Sequence, residues 1–254
     1  MVTNSQSTAF TAAHRSTRAH PADARSTVRT DLLVPAAVLF DMDGTLTDSE
    51  KLWYQAEWEA FTDLGMPWSY DDQKLVIGLD IIDGSRRALD YYGVQADAEQ
   101  VGRSIIARVI ELATEHGVPW RPGALELLTW LSQMHIPSAL VTSSYLPFAS
   151  MVASKAPKGS LEALVTGDRV THSKPHPEPF RMAASMLGKD PHECVAFEDS
   201  VYGVQSAYDS GAITVAVPFQ VKIPAQPGVI VLDSLEHADA AFFDRVVRER
   251  RELS

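Results

Sequence analysis

Four short segments hold the residues that could do chemistry. The first is Asp41-Met42-Asp43-Gly44-Thr45, with carboxylates two positions apart. Two such charges are costly to hold together unless a cation neutralises them. Oxygen-only ligands suit a hard ion such as Mg2+, and Gly44 permits a sharp turn. The second is Thr142-Ser143-Ser144, whose hydroxyls and backbone N–H groups can cradle phosphate oxygens. The third is Lys174-Pro175-His176-Pro177. Its lysine, and the N-terminus of a helix after it, can offset the charge of a phosphoryl group. The fourth is Glu198-Asp199-Ser200, two more acids with a helix cap behind them. Taken singly, these also read as an acidic turn, a polar turn, a surface lysine and acidic helix capping. Their repetition at strand ends argues against that plain reading.

The elements that must position them are legible as patterns. Short continuous apolar runs occur at 36–40, 138–141, 163–165, 195–197, 213–217 and 229–232. Runs of this kind predict strands buried on both faces. Helical patterns lie between them: Leu127, Leu131 and Met134 on one face, Phe180, Ala184 and Leu187 on another, Val204 and Tyr208 on a third. Ser200 is a candidate N-cap and Gly211 a C-terminal stop. Strands alternating with helices predict an α/β fold, a Rossmann-like parallel sheet core. Residues 51–121 carry no strand pattern. Val101, Ile105, Val109 and Leu112 repeat at helical spacing there, and Trp53, Ala60 and Leu64 mark an earlier helix. The expected organisation is a disordered basic tail at 1–31, a core from 32–50 and 122–254, and an inserted all-helical cap domain at 51–121. A cap leaving after the first strand would sit over the C-terminal sheet edge, where open α/β sheets bind ligands.

This set of segments, in this order, resembles the haloacid dehalogenase-like superfamily of phosphatases and phosphomutases. The resemblance spans roughly residues 34–240, and the long stretch between Asp41 and Thr142 matches the subclass with a helical cap. It implies Asp41 as a nucleophile that forms an aspartyl-phosphate. It implies Asp43 as the acid, then the base. Mg2+ would be held by Asp41, the Asp43 carbonyl and Asp199. Thr142, Ser143 and Lys174 would bind the phosphoryl group, with Glu198 behind the metal ligands. Sugar-phosphate mutases resembling β-phosphoglucomutase typically carry a histidine twelve residues after the nucleophile, where this chain has Trp53. They also carry a basic residue shortly after a cap glycine. Here the stretch reads Gly78-Leu79-Asp80-Ile81-Ile82-Asp83, with Arg86 and Arg87 further on. The expectation is therefore a Mg2+-dependent phosphatase of small phosphate monoesters, sugar phosphates among them. A sugar phosphomutase, or a binding protein on the same fold, is the alternative.

Composition narrows the classes further. The net charge of -11 disfavours nucleic acid as a partner. No run of 18 apolar residues exists to span a membrane. The first 30 residues hold four arginines against one aspartate, without apolar periodicity. Cys194, the single cysteine, excludes an internal disulfide and fits a reducing, cytoplasmic setting. It reads as a buried structural residue. His172 and His176 read as a solvated loop and the arginines at 245–251 as a solvated helix end. The expected partner is a small phosphorylated metabolite, and the expected state is a monomer.

Overall fold

A computed structural model describes residues 32–76 and 79–252. The basic tail expected at 1–31 lies outside these residues, as does Gly78. The core is one six-stranded, all-parallel sheet in the order β3-β2-β1-β4-β5-β6. Its strands are β1 (Ala37–Phe40), β2 (Ser138–Val141), β3 (Ala163–Val165), β4 (Cys194–Glu198), β5 (Ile213–Ala216) and β6 (Val229–Val231). Each apolar run of the sequence became one strand, within a residue or two of its expected ends. β1, β2, β4 and β5 are buried along their whole length. The chain builds the sheet outward from β1 in one direction and from β4 in the other. The β1/β4 boundary is therefore the point where strand order reverses, and strand C-termini open a crevice there.

Side-chain alternation sorts the two faces. Val38, Phe40, Leu140, Val195, Phe197 and Val215 share one core with α4 (Ala124–Gln133), α5 (Leu146–Lys155) and α8 (Ala240–Glu252). Phe40 stacks on Phe197 there, with ring centroids 5.3 Å apart. The opposite face presents Ala37, Leu39, Ala139, Ala163 and Ala196 to α6 (Glu178–Met186) and α7 (Val201–Ser210). Small residues on that face leave room for Phe180, which is fully buried. Cys194 belongs to this core, and burial pushes its thiol up to about 12. Met134 and Tyr208, expected on apolar faces, are exposed instead. Met134 is the C-cap of α4, where the helix face no longer continues.

Between β1 and α4 the chain forms α1 (Glu50–Asp63), a 3-10 turn (Tyr70–Leu75), α2 (Ile81–Tyr92) and α3 (Ala98–His116). α3 buries Val101, Ile105, Val109 and Leu112 on one stripe and packs against both α1 and α2. Gly102 allows the α2 approach, since a Cβ there would meet Ile82 at 3.2 Å and the Ile81 carbonyl at 3.4 Å. The outgoing and returning chains pair: Asp48 N–H donates to the Pro119 carbonyl at 2.7 Å, and Arg121 N–H to Leu46 at 2.8 Å. The insertion thus leaves and rejoins the sheet at one place, beside the C-terminal end of β1.

The helix marked by Trp53, Ala60 and Leu64 is α1, which buries Ala56, Glu57 and Phe61 most deeply and packs Trp53 and Ala60, partly buried, against the same core. Leu64 is the exposed C-cap. Glu57 is 7% exposed, and its Oε2 has no hydrogen-bond partner. Burial raises its pKa to about 7, partly offset by a hydrogen bond to Gln73. A carboxyl whose folded pKa exceeds its unfolded value favours folding when protonated, and that contribution is lost as pH rises from about 4.5 to about 7. Melting curves should show wild type losing stability relative to Glu57→Gln across this interval. The difference should be on the order of 2–3 kcal/mol by pH 8. A pH-independent gap between the two proteins would show that Glu57 stays ionised throughout.

Candidate active site

The site grows from the ends of the central strands. Asp41 directly follows β1, and its N–H donates to the Phe197 carbonyl of β4 at 3.0 Å. That bond sets the Asp41 side chain beside the end of β4, where Glu198 and Asp199 lie. Met42 turns into the core, fully buried, so Asp41 and Asp43 flank it on the site side. The loop closes through Leu46 and Thr47 N–H groups, both donating to the Met42 carbonyl. Gly44 takes a left-handed φ of 88°, and a Cβ there would lie 2.1 Å from Asp199 Oδ2. Only glycine satisfies both the turn and the close approach.

Lys174 is the counter-charge. Its Nζ donates to Asp41 Oδ1 at 2.7 Å, Glu198 Oε1 at 2.7 Å and the Val141 carbonyl at 2.9 Å. All three ammonium hydrogens are thereby used. The three charged side chains are buried, at 6% exposure for Lys174, 9% for Asp41 and 1% for Glu198. Burial opposes the ammonium charge, but Asp41 and Glu198 outweigh it and hold the Lys174 pKa above its ordinary value. Glu198 is also fixed from behind: its Oε2 accepts from the Ser200 N–H and hydroxyl, both at 3.0 Å. Ser200 in turn caps α7 by accepting from Gly203 N–H at 2.9 Å.

One lysine does not balance three acids. Single ligand oxygens of Asp41, Glu198 and Asp199 all lie within 4.8 Å of one another. Burial pushes the Asp41 and Asp199 pKa values up, and repulsion among the three carboxylates adds to it. Asp41 Oδ2 is buried with no hydrogen-bond partner, and Asp199 accepts only a long bond from Thr45 Oγ1 at 3.3 Å. Crowded carboxylates that one lysine leaves under-neutralised, with Asp199 only weakly bonded, are the donor set that a hard divalent cation would satisfy.

Asp43 faces another way. Its Oδ2 accepts from Thr142 Oγ1 at 3.2 Å and Ser144 Oγ at 2.7 Å. Its Oδ1 accepts from the Ser49 hydroxyl and from Trp53 Nε1 at 3.1 Å. The structure therefore brings Asp41, Lys174, Glu198 and Asp199 together, with Asp43 and Thr142 beside them. The Ser143 side chain is exposed, and its carbonyl packs where a Cβ on Gly167 would sit 2.1 Å away. Sequence reasoning picked out Ser144 as a phosphate-facing hydroxyl but not its bond to Asp43, and it missed Ser49 and Arg121. Arg121 donates to the carbonyls of Gly44 and, at 3.3 Å, Val217, bracing the loop that carries Asp43. The partners of Arg121 and Ser144 lie 77 or more and 101 positions away, and Ser49, six residues from Asp43, reads locally as a helix cap.

His172 and His176 lie exposed on their loop, as expected. Their rings lie 4.5 Å apart, and His172 Nδ1 sits 2.8 Å from Glu178 Oε2. Arg86 and Arg87 are exposed, and Arg86 pairs with Asp83 on its own helix.

Comparison with known proteins agrees with this architecture. The sequence model of the haloacid dehalogenase-like hydrolases matches residues 35–211. Hexitol phosphatase B of Escherichia coli is 32% identical over 186 residues, covering 72% of this chain and 83% of the relative. The crystal structure of CbbY from Rhodobacter sphaeroides in complex with phosphate superposes with a TM-score of 0.75 at 26% identity, over 83% of this chain and 99% of that one. A β-phosphoglucomutase structure from Clostridium difficile shares the fold, with a TM-score of 0.72 at 19% identity over 86% of this chain and 99% of that one. The chain belongs to the haloacid dehalogenase-like hydrolase family.

Gly203 offers a test of the site's packing. It lies within the first turn of α7, where alanine would ordinarily favour the helix by up to about 1 kcal/mol. Its Cβ would fall 1.7 Å from Glu198 Oε1. Gly203→Ala is therefore expected to lower the melting temperature and displace Glu198 from Lys174. An unchanged or raised melting temperature would show that Glu198 has room to move.

Proposed function

We propose that this chain is a Mg2+-dependent phosphatase of small phosphate monoesters that works through an aspartyl-phosphate. The observation that carries this reading is the asymmetry of Asp41: Oδ1 is pinned by Lys174 and Oδ2 has no partner. A carboxylate held by one oxygen with the other unpartnered is poised as a nucleophile. Identity to a curated hexitol phosphatase supports polyol or sugar phosphates as the substrate class.

In this reading Asp41 Oδ2 attacks phosphorus and the P–O bond to the leaving group breaks, its electron pair staying on the leaving oxygen. Asp43 protonates that oxygen, releasing the alcohol. A water then attacks the same phosphorus while Asp43 takes its proton, and the acyl phosphate P–O bond returns its electrons to Asp41. Thr142 and Ser144 would orient the phosphoryl group, with Ser143 contributing from the rim, and Lys174, its hydrogens held by protein acceptors, would offset the phosphoryl charge. Asp41, Asp199 and the Asp43 carbonyl would hold Mg2+, with Glu198 and its Lys174 pair behind them. The ion would supply charge neutralisation between an anionic nucleophile and an anionic ester. The helices at 50–116 act as a cap over the crevice. The mutase reading is weaker: Trp53 holds the position of the mutase histidine, and Arg86 is spent on Asp83.

Phosphate release from a panel of sugar and polyol monophosphates should require Mg2+, stop with EDTA, and disappear in Asp41→Asn. Isomerisation of a sugar 1-phosphate without phosphate release would overturn the assignment in favour of a mutase. The metal site has a readout of its own. Adding Mg2+ should raise the melting temperature of wild type, since a ligand bound only by the native state stabilises it. Asp199→Asn should lose most of that shift. An equal shift in the variant would remove Asp199 from the metal's ligands.

A further inference from the structure

Trp53 touches Asp43 from the inserted helices, and three features mark the contact as more than packing. First, the indole N–H donates to Asp43 Oδ1 at 3.1 Å. Second, Ser49, one helical turn earlier, donates to the same oxygen. Ser49 is the N-cap of α1, where a serine hydroxyl ordinarily accepts from the helix's own N–H groups at a gain of about 1 kcal/mol. Here the hydroxyl makes no cap bond, although the residue is fully buried. Local helix stability is given up for the bond to Asp43. Third, the Trp53 ring is held edge-on against Phe148 of α5, with centroids 5.4 Å apart at 87°. The ring's direction is thus set by the sheet core as well as by α1.

We infer that Trp53 is a positioning residue that holds the Asp43 carboxyl so that Oδ2, and not Oδ1, faces the phosphate-binding hydroxyls. The inference rests on the acid–base role proposed for Asp43. An indole N–H donates and never accepts, so Oδ1 must remain an acceptor while Trp53 faces it. The hydroxyls of Thr142 and Ser144, which face Oδ2, can either donate or accept. With Oδ1 held by Trp53 and Ser49, Oδ2 is the oxygen turned toward the phosphate-binding hydroxyls. When the ester P–O bond breaks, the proton moves from Oδ2 to the leaving oxygen, and that oxygen keeps the bond's electron pair. Asp43 is left ionised, with Oδ1 still held by Trp53 and Ser49. Without the indole donor, Oδ1 keeps only the Ser49 bond and the carboxyl is held less firmly in this orientation.

The test uses leaving groups that differ in their need for a proton. kcat/KM reports the steps up to release of the alcohol, so it isolates this transfer. A hexitol monophosphate has an alkyl oxygen that must be protonated, whereas 4-nitrophenyl phosphate expels a phenolate that need not be. Wild type, Trp53→Phe and Asp43→Asn are assayed with both esters in Mg2+. Trp53→Phe retains the ring against Phe148 and removes the N–H. It is expected to lower the alkyl-to-nitrophenyl ratio of kcat/KM about tenfold, the scale of one hydrogen bond to a charged group. Asp43→Asn should lower the ratio further. If Asp43→Asn lowers the ratio and Trp53→Phe depresses both esters equally, Trp53 is a packing residue and the inference fails. If Asp43→Asn leaves the ratio unchanged, the acid–base reading of Asp43 falls, and this inference with it. Turnover of neither ester by wild type would overturn the phosphatase reading itself.

Discussion

Concentrated negative charge at the ends of fully buried central strands is the constraint around which the structure is arranged. Parallel pairing of β1 with β4 matches Phe40 to Phe197, so the acids that follow each strand emerge side by side. Removing a carboxylate from water without a partner costs several kcal/mol. Lys174 meets that cost for two of the acids at once, and its third bond, to Val141, ties in the end of β2. One ammonium thereby links the C-terminal ends of three strands. Losing one partner of such a buried pair typically costs about 3–5 kcal/mol, because the other charge stays buried and unpaired. The glycines at 44 and 203 follow from the same constraint. Each sits where a single methyl group would strike a carboxylate of the cluster.

The same constraint reaches into the insertion. Thr45 bonds Asp199 within the loop after β1, and Thr47, in the same loop, leads directly to Ser49 and α1. The chain that leaves the sheet therefore carries the acidic loop's contacts with it. Pairing of residues 46–48 with 119–121 then closes the insertion onto that same loop. Any displacement of α1 would be felt at Asp43 through Ser49 and Trp53, and resisted by Thr142 and Ser144 from the β2 side. Mechanically, Asp43 is the joint between the inserted helices and the sheet.

Much of this was legible in the sequence, for a physical reason. Strands buried on both faces must be apolar at every position, so 138–141 and 163–165 stand out as uninterrupted runs. α3 was legible because 19 residues give its apolar stripe several turns to repeat. α2 was not, since its buried positions include Gly84 and Ser85, which allow close packing without marking an apolar face. Nothing in the α1 sequence marks Glu57 as a core position, because a carboxylate's polarity argues for the surface. Asp41, Thr142, Lys174 and Asp199 could be picked out because each directly follows a strand or a proline-marked turn. Ser49 and Arg121 could not, nor could the aim of Ser144 at Asp43, because nothing local distinguishes a hydroxyl pointed there from one that caps a helix, and the acceptors of Arg121 lie far away in sequence.

The two aspartates at the start of the site differ in a way their spacing does not reveal. Asp41 and Asp43 are two residues apart, with the same side chain and the same loop. Asp41 is enclosed among charges, with one oxygen paired and one left without a hydrogen bond. Asp43 is enclosed among neutral donors, with both oxygens filled. A group that must form a bond to phosphorus needs a lone pair left unengaged, and hydrogen bonds to both of its oxygens would oppose attack. A group that must pass a proton back and forth needs partners that keep it in place while its charge changes. Neutral hydroxyls can reorient to suit either state, whereas a buried lysine would favour only one. The division of labour proposed for this pair therefore follows from what surrounds each carboxylate, and that surrounding is set by strand order: β4 and the Lys174 loop face Asp41, while β2 and α1 face Asp43.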